Sequence, residues 1–226
     1  MGKQFSPEVL KTYFKYRMAP IEQNFDMSKR LVLEPGAVDI NDIATVGGIN
    51  ASPAEMIQNL SSSGIGISNG FVITAVAYRK FLEYNNLQST MGEVINSIDY
   101  DNPESLRKGS LEARHLLING RFPKETNEVI IRAYEKLSSE YDRKFIDVEV
   151  RSYATAEDLP DASFAGQQET FLNVRGPFLL MDAIRNCFAS LFTDRAISYR
   201  AALGYDHFSI GLSVCVQKMV RNDWGS

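Results

Sequence analysis

Residues 145–174 constrain this chain more than any other stretch, because they join two apolar, strand-like runs through an irregular loop that a sheet must hold at both ends. Phe145-Ile-Asp-Val-Glu-Val150 reads as a strand delivering Arg151 at its end, and Glu169-Thr-Phe-Leu-Asn-Val174 reads as the strand that leaves the loop. Between them, 152–168 contain Pro160 and Gly166 but no periodicity. A loop of that length in a compact domain is usually functional. An arginine fork at a strand end, followed by small residues that let backbone N–H groups approach closely, suits phosphate.

The remaining punctuation alternates helices with strands. Ser6-Pro7 opens a helix, and Ser52-Pro53-Ala54-Glu55 opens another over about 53–63 through a capping box with proline in the first turn. Asn69-Gly70 turns into a short buried strand at 71–74, whose Thr74 caps a helix carrying Tyr78, Phe81 and Leu82. Asn102-Pro103 and Phe122-Pro123 start two more helices, the second reaching about Glu140 with Val129, Ile130, Ala133, Tyr134 and Leu137 at helical spacing. Gly176-Pro177 starts a helix over 178–192, and a further helical piece runs to about Ala202. The chain closes on a long strand, 208–220, whose alternation predicts one buried face. The fold class is α+β, with helices packed on a mixed or antiparallel sheet. Residues 220–226 read as a chain cut in mid-fold, so the final strand is expected to leave a sheet edge uncovered and to favour a homodimer.

Composition narrows the function classes. The 226 residues are 44% hydrophobic and carry a formal charge of −4, which gives no global electrostatic footprint for nucleic acid or an anionic membrane. No apolar run approaches the roughly 20 residues needed to span a bilayer, and residues 1–5 lack a signal-peptide core, so a cytoplasmic location is expected. Asn50 and Asn59 head Asn-X-Ser sequences that would need a secretory route to be glycosylated. Cys187 and Cys215 sit in apolar surroundings and read as buried thiols. His115 and His207 have no cysteine or carboxylate at metal spacing, so no metal site is expected on them. Glu157, Asp158 and Asp161 form an acidic cluster that reads as solvated, although it could touch Mg²⁺ through water.

Three glycine-bearing stretches compete for phosphate. Gly64-Ile-Gly66-Ile-Ser-Asn-Gly70 precedes a strand and has the wrong spacing for a dinucleotide fingerprint, so it reads as a helix end and turn. Val46-Gly47-Gly48 leads toward the capped helix at Pro53, where free N–H groups meet anions. The strongest is the loop after Arg151, where Gly166 permits close approach and Gln167 to Thr170 offer donors.

Residues 46–52, 70–78, 150–174, 187–200 and 216–221 together resemble the nucleotide-binding N-terminal part of the phosphoenolpyruvate synthase family, with pyruvate phosphate dikinase and rifampicin phosphotransferase as more distant relatives. The resemblance implies an ATP-grasp-like N-terminal lobe: residues 1–226 would form the N-terminal part of the ATP/AMP-binding domain, in two lobes of about 1–120 and 121–226. The phosphohistidine and pyruvate-binding domains would lie beyond it as intramolecular partners. It further implies binding of ATP with Mg²⁺, in an enzyme that converts ATP, pyruvate and water to AMP, phosphoenolpyruvate and phosphate via a phosphohistidine. Carried over position by position, Arg151, Gly166, Gln167 and Thr170 would hold the ATP phosphates, while Gln217 and the backbone near Met219 would meet adenine. Two positions depart from the pattern. Ile49 stands where the family has a phosphate-binding lysine, and Tyr153 stands where it has a small residue, with a ring that could crowd the loop or stack on a ligand. Losing one preorganised charge contact typically costs about 10²- to 10³-fold in rate. The resemblance therefore implies a chain that is not catalytic alone, the alternative being a degenerate nucleotide-sensing or interaction module.

Overall fold

The computed structural model describes residues 31–33, 70–154 and 169–219. The helices expected after Ser6-Pro7 and over 53–63 lie outside them. Five strands form one sheet: β1 (Val32–Leu33), β2 (Gly70–Ile73), β3 (Asp147–Ala154), β4 (Thr170–Arg175) and β5 (Leu212–Lys218). Their order is β1-β2-β5-β3-β4 and every neighbouring pair is antiparallel. The sheet thus draws strands from both sides of residue 120. Six helices complete the described residues: α1 (Ala75–Tyr84), α2 (Leu87–Asn96), α3 (Pro103–Ile118), α4 (Lys124–Ser139), α5 (Pro177–Ser190) and α6 (Asp194–Leu203). This is the expected α+β arrangement with an antiparallel sheet.

The helix starts follow local chemistry. Asn102 accepts from the backbone N–H of Glu104 at 3.0 Å and of Ser105 at 3.3 Å, with Pro103 fixing the first turn of α3. Thr193 does the same for α6 through Ala196 N at 3.3 Å, and Gly204 ends that helix at φ 70°, a left-handed conformation that glycine adopts without a Cβ clash. Thr74 stands at the N-cap of α1, as the sequence predicts, but it does not cap: its backbone N–H and its hydroxyl both reach Leu31 O, at 3.1 and 3.4 Å, and tie the helix start to the strand segment at β1. Sequence reasoning passed over α2, which Asn86 in the left-handed region (φ 51°) separates from α1.

The register sorts side chains onto two faces. On one, Phe71 and Ile73 of β2, Val148 and Val150 of β3 and Val214 and Val216 of β5 are buried against the helices. There α5 packs on β3, β4 and β5. Phe188 from α5 meets Tyr78 and Phe81 from α1 and Phe122, with ring centroids 5.0–5.9 Å apart. Tyr134 of α4 fastens this layer to the strands, its hydroxyl donating to Ile146 O at 2.7 Å and accepting from Gly176 N at 2.9 Å.

Two expectations are corrected. First, β3 runs to Ala154, so Arg151 lies inside the strand and the loop does not begin at Ser152. Ser152 can continue the strand on the buried face because its hydroxyl is satisfied there: it accepts from Glu169 N at 3.2 Å and lies 3.4 Å from Ser190 Oγ. Second, the final strand is not an edge. β5 is shorter than predicted and lies in the middle of the sheet, hydrogen-bonded to β2 on one side and β3 on the other, and 212–216 are buried on both faces rather than one. The uncovered edge from which a homodimer was expected is therefore closed by β2 and β3.

Candidate functional site

The sheet face opposite the helices carries the polar side chains. Alternation along β3 puts Glu149, Arg151 and Tyr153 on it, and the register sets Gln217 of β5 opposite Glu149, and Cys215 opposite Arg151. On the other flank of β3, Thr170 stands opposite Arg151. The structure therefore brings Arg151, Thr170 and Gln217 onto one surface, with the exposed Thr170 at the first residue of β4. Gly166, Gln167, Ile49, the paired glycines 47 and 48 and the acidic cluster of Glu157, Asp158 and Asp161 lie outside the described residues.

Arg151 is not a free cation. Its Nη2 donates to Glu149 Oε2 at 2.7 Å, and the side chain is 43% exposed against 19% for Glu149. Burial works against the guanidinium charge, but the hydrogen bond and charge of Glu149 outweigh it and hold the Arg151 pKa above its ordinary value. Arg151 also acts on the neighbouring Tyr153 phenol, pulling its pKa down against burial. The Arg151 Nε is buried and has no hydrogen-bond partner among the described residues. Sequence reasoning missed Glu149, although the period-2 rule places a residue two before Arg151 on the same face of a strand.

Tyr153 is almost fully buried, its ring packed into this face beside Arg151; the loop that it is expected to crowd lies outside the described residues. Its phenol pKa is raised by burial and by the neighbouring Cys215 thiol, against the opposing pull of Arg151. Cys215 is pushed up to about 12, first by burial and then by Glu149. Both phenol and thiol are thus neutral at physiological pH.

At the base of the β3–β4 hairpin the backbone is pinned. Ser152 N donates to Glu169 O at 3.3 Å, and the Glu169 carboxylate meets Arg114 of α3 at 3.4 Å. At the far end of β5, Gln217 faces Gly70, whose missing Cβ lets the strands approach: a methyl there would sit 2.2 Å from Val216 O. The Met219 N–H donates to Asp147 O at 3.0 Å, so this amide is engaged within the sheet. Met219 also lines a cleft of about 620 Å³ with Tyr141, Phe145, Asp147, Arg175 and Lys218. The Lys218 ammonium lies 4.3 Å from the centroid of the Tyr141 ring, a cation–π contact between two residues that line this cleft.

The two histidines are elsewhere. His115 is on α3, and the half-buried His207 accepts from Arg200. Cys187 and Cys215 are buried and free, as the sequence predicts. Among the described residues, no group of three or more His, Cys, Asp and Glu is disposed to hold a metal, and no helix is long and apolar enough to cross a membrane.

A match to the family described as pyruvate phosphate dikinase, AMP/ATP-binding domain, spans residues 43–226. The chain belongs to this family. Residues 43–226 are accordingly part of an AMP/ATP-binding domain. Relatives of the domain include the phosphoenolpyruvate synthase of Aquifex aeolicus, 53% identical over 89% of this chain and 24% of that protein. Those of Helicobacter pylori and Escherichia coli are 49% and 46% identical, over 82% and 88% of this chain and 23% and 25% of theirs. The chain spans about a quarter of the length of these curated relatives, and its resemblance to the N-terminal ATP-binding region of phosphoenolpyruvate synthases is thereby borne out.

Proposed function

We propose that this chain supplies the nucleotide-binding face of a phosphoenolpyruvate synthase-like phosphotransferase. In this reading Arg151 and Thr170 take the ATP phosphates together with Gly166 and Gln167, while Gln217 and the Met219 backbone meet adenine. The observation that carries it is the common face of Arg151, Thr170 and Gln217, on which a phosphate-binding fork and an amide stand on adjacent strands of one rigid sheet. The Arg151 side chain is 43% exposed on this face, and an Arg fork is the side chain best matched to a phosphate oxygen. ATP supplies the phosphoryl group; this chain's described residues bind and orient, and none of them is placed to accept it. Mg²⁺, the transfer histidine and the pyruvate site would come from residues outside the described set or from further domains of the same enzyme, which are the partners this reading requires. The two-lobe division near residue 120 and a cytoplasmic location belong to the same reading. Among the described residues the outer strands are β1 and β4, so pairing of two copies through a sheet edge would use one of them, and sedimentation at high concentration tests it.

A second reading, a non-catalytic nucleotide-sensing or interaction module, is favoured by Ile49, which leaves the phosphate site without the family's lysine. Isothermal titration with Mg·ATP and ADP, beside Ile49→Lys, separates the two. Binding by the parent that tightens in the variant is expected of a phosphotransferase lobe. Binding that the lysine leaves unchanged would favour the module, and no binding by either protein would mean that this chain does not present a nucleotide site.

A further inference from the structure

Glu149 is the residue that the nucleotide reading leaves unexplained. Its carboxylate is the less exposed member of the pair, lies 2.7 Å from Arg151 Nη2, and sits directly opposite Gln217. It therefore occupies the surface between the two groups assigned to phosphate and adenine. The other residues that the register places around the pair, Tyr153, Thr170, Cys215 and Gln217, bring no charge to it. Among the described residues the pair thus balances its own charge.

We propose that Glu149 is a specificity-determining residue that grades ligands by phosphate charge, weakening ATP more than AMP and leaving adenosine unaffected. The inference rests on the reading of Arg151 as the phosphate-binding residue. A phosphate oxygen bonded to the free edge of the Arg151 guanidinium comes within about 5–7 Å of the Glu149 carboxylate, given the size of the fork. Two like charges at that distance, in the intermediate dielectric of a half-buried surface, repel by enough to change affinity about tenfold. The penalty grows with each phosphoryl charge brought to the face and is absent for a nucleoside. Because Arg151 is 43% exposed, salt weakens the effect.

Isothermal titration of the whole chain with ATP, AMP and adenosine, for the parent, Glu149→Gln and Arg151→Gln, tests this at low and physiological ionic strength. Glutamine keeps the shape of the side chain and can still accept from Arg151, and thermal melting verifies that each variant is folded. If Glu149→Gln proves unstable, Glu149→Ala supplies the same loss of charge. The expected result is an ATP affinity raised about tenfold in Glu149→Gln at low salt, a smaller gain for AMP and none for adenosine. An unchanged ratio of ATP to adenosine affinity, with ATP still weakened in Arg151→Gln, would overturn the role of Glu149 and leave Arg151 in place. Unchanged ATP binding in Arg151→Gln would overturn the phosphate assignment itself and this inference with it.

Discussion

Arg200 donates through Nε to His207 Nδ1 at 3.1 Å, and this bond requires the histidine to be neutral with its proton on Nε2. Arg200 is fully buried, its Nη2 donates to Leu191 O, its Nη1 has no partner, and its charge lies over the Phe192 ring, 5.3 Å from the centroid. On the other side of the imidazole, Nε2 lies 3.5 Å from the Tyr100 hydroxyl. Burial and then the Arg200 charge bring the His207 pKa down to about 4. An unfolded histidine titrates near 6.5, so the unfolded chain binds this proton first. The stability that neutral His207 confers is present above about pH 6.5 and is lost as the pH falls toward 4. Thermal melts at stepped pH should show the midpoint falling through that window, and His207→Gln should flatten the fall. An equally steep fall in the variant would assign the pH dependence to other groups.

Tyr134 offers a sharper stability test, because one hydroxyl serves two backbone groups. Tyr134→Phe removes the donor to Ile146 O and the acceptor for Gly176 N, at the starts of β3 and α5. Two buried groups left unmade should cost about 2–4 kcal/mol, read as a lower urea midpoint at unchanged slope. A loss under about 0.5 kcal/mol would mean that water takes over both bonds.

Gly70 and Gly109 distinguish backbone from side-chain crowding. Alanine at 70 meets Val216 O at 2.2 Å, whereas alanine at 109 meets Ile98 Cγ1 at 2.5 Å, a side chain that can turn aside. Gly70→Ala should therefore destabilise by about 3 kcal/mol and Gly109→Ala by clearly less. Since Gln217 Cγ would lie 3.1 Å from the new methyl, Gly70→Ala should also weaken adenine nucleotide binding. Equal losses of stability in the two variants would count against the register that sets Gly70 beside β5.

The cysteines should be silent in the native protein. Burial raises Cys187 well above the ordinary thiol range and pushes Cys215 up to about 12. Thiol-disulfide reagents need the thiolate, so labelling should be limited by unfolding, with both thiols reacting in denaturant. Rapid modification of Cys215 in the folded protein would show the polar face to be open at that position.

Helix starts were legible because their signals are local. Asn102-Pro103, Phe122-Pro123 and Gly176-Pro177 each act on the next turn of backbone, and α3, α4 and α5 begin there. The sheet was legible in its strands but not in their order. Nothing within 212–218 records that its partners are 70–73 and 147–154, since pairing depends on segments far apart in the chain. The same non-locality hid the true end of β3. Arg151-Ser152-Tyr153 looks like loop by polarity, but Ser152 is accepted into the core by Ser190 and Glu169, and Tyr153 by Arg151. Arg151 itself stood out because an arginine after an apolar run is conspicuous. Its controlling partner did not, because a glutamate two residues earlier looks like any solvated charge until the strand puts both on one face.

The central position of β5 orders events in time. On a ribosome, the β1–β2 and β3–β4 pairs emerge before β5, yet the two pairs cannot join into one sheet until β5 has been synthesised and inserted between them. Such long-range pairings are slow to form and leave strand edges bare meanwhile. Nascent chains of this domain should therefore remain clients of chaperones until β5 arrives, and a stall anywhere before residue 212 should release a chain that aggregates.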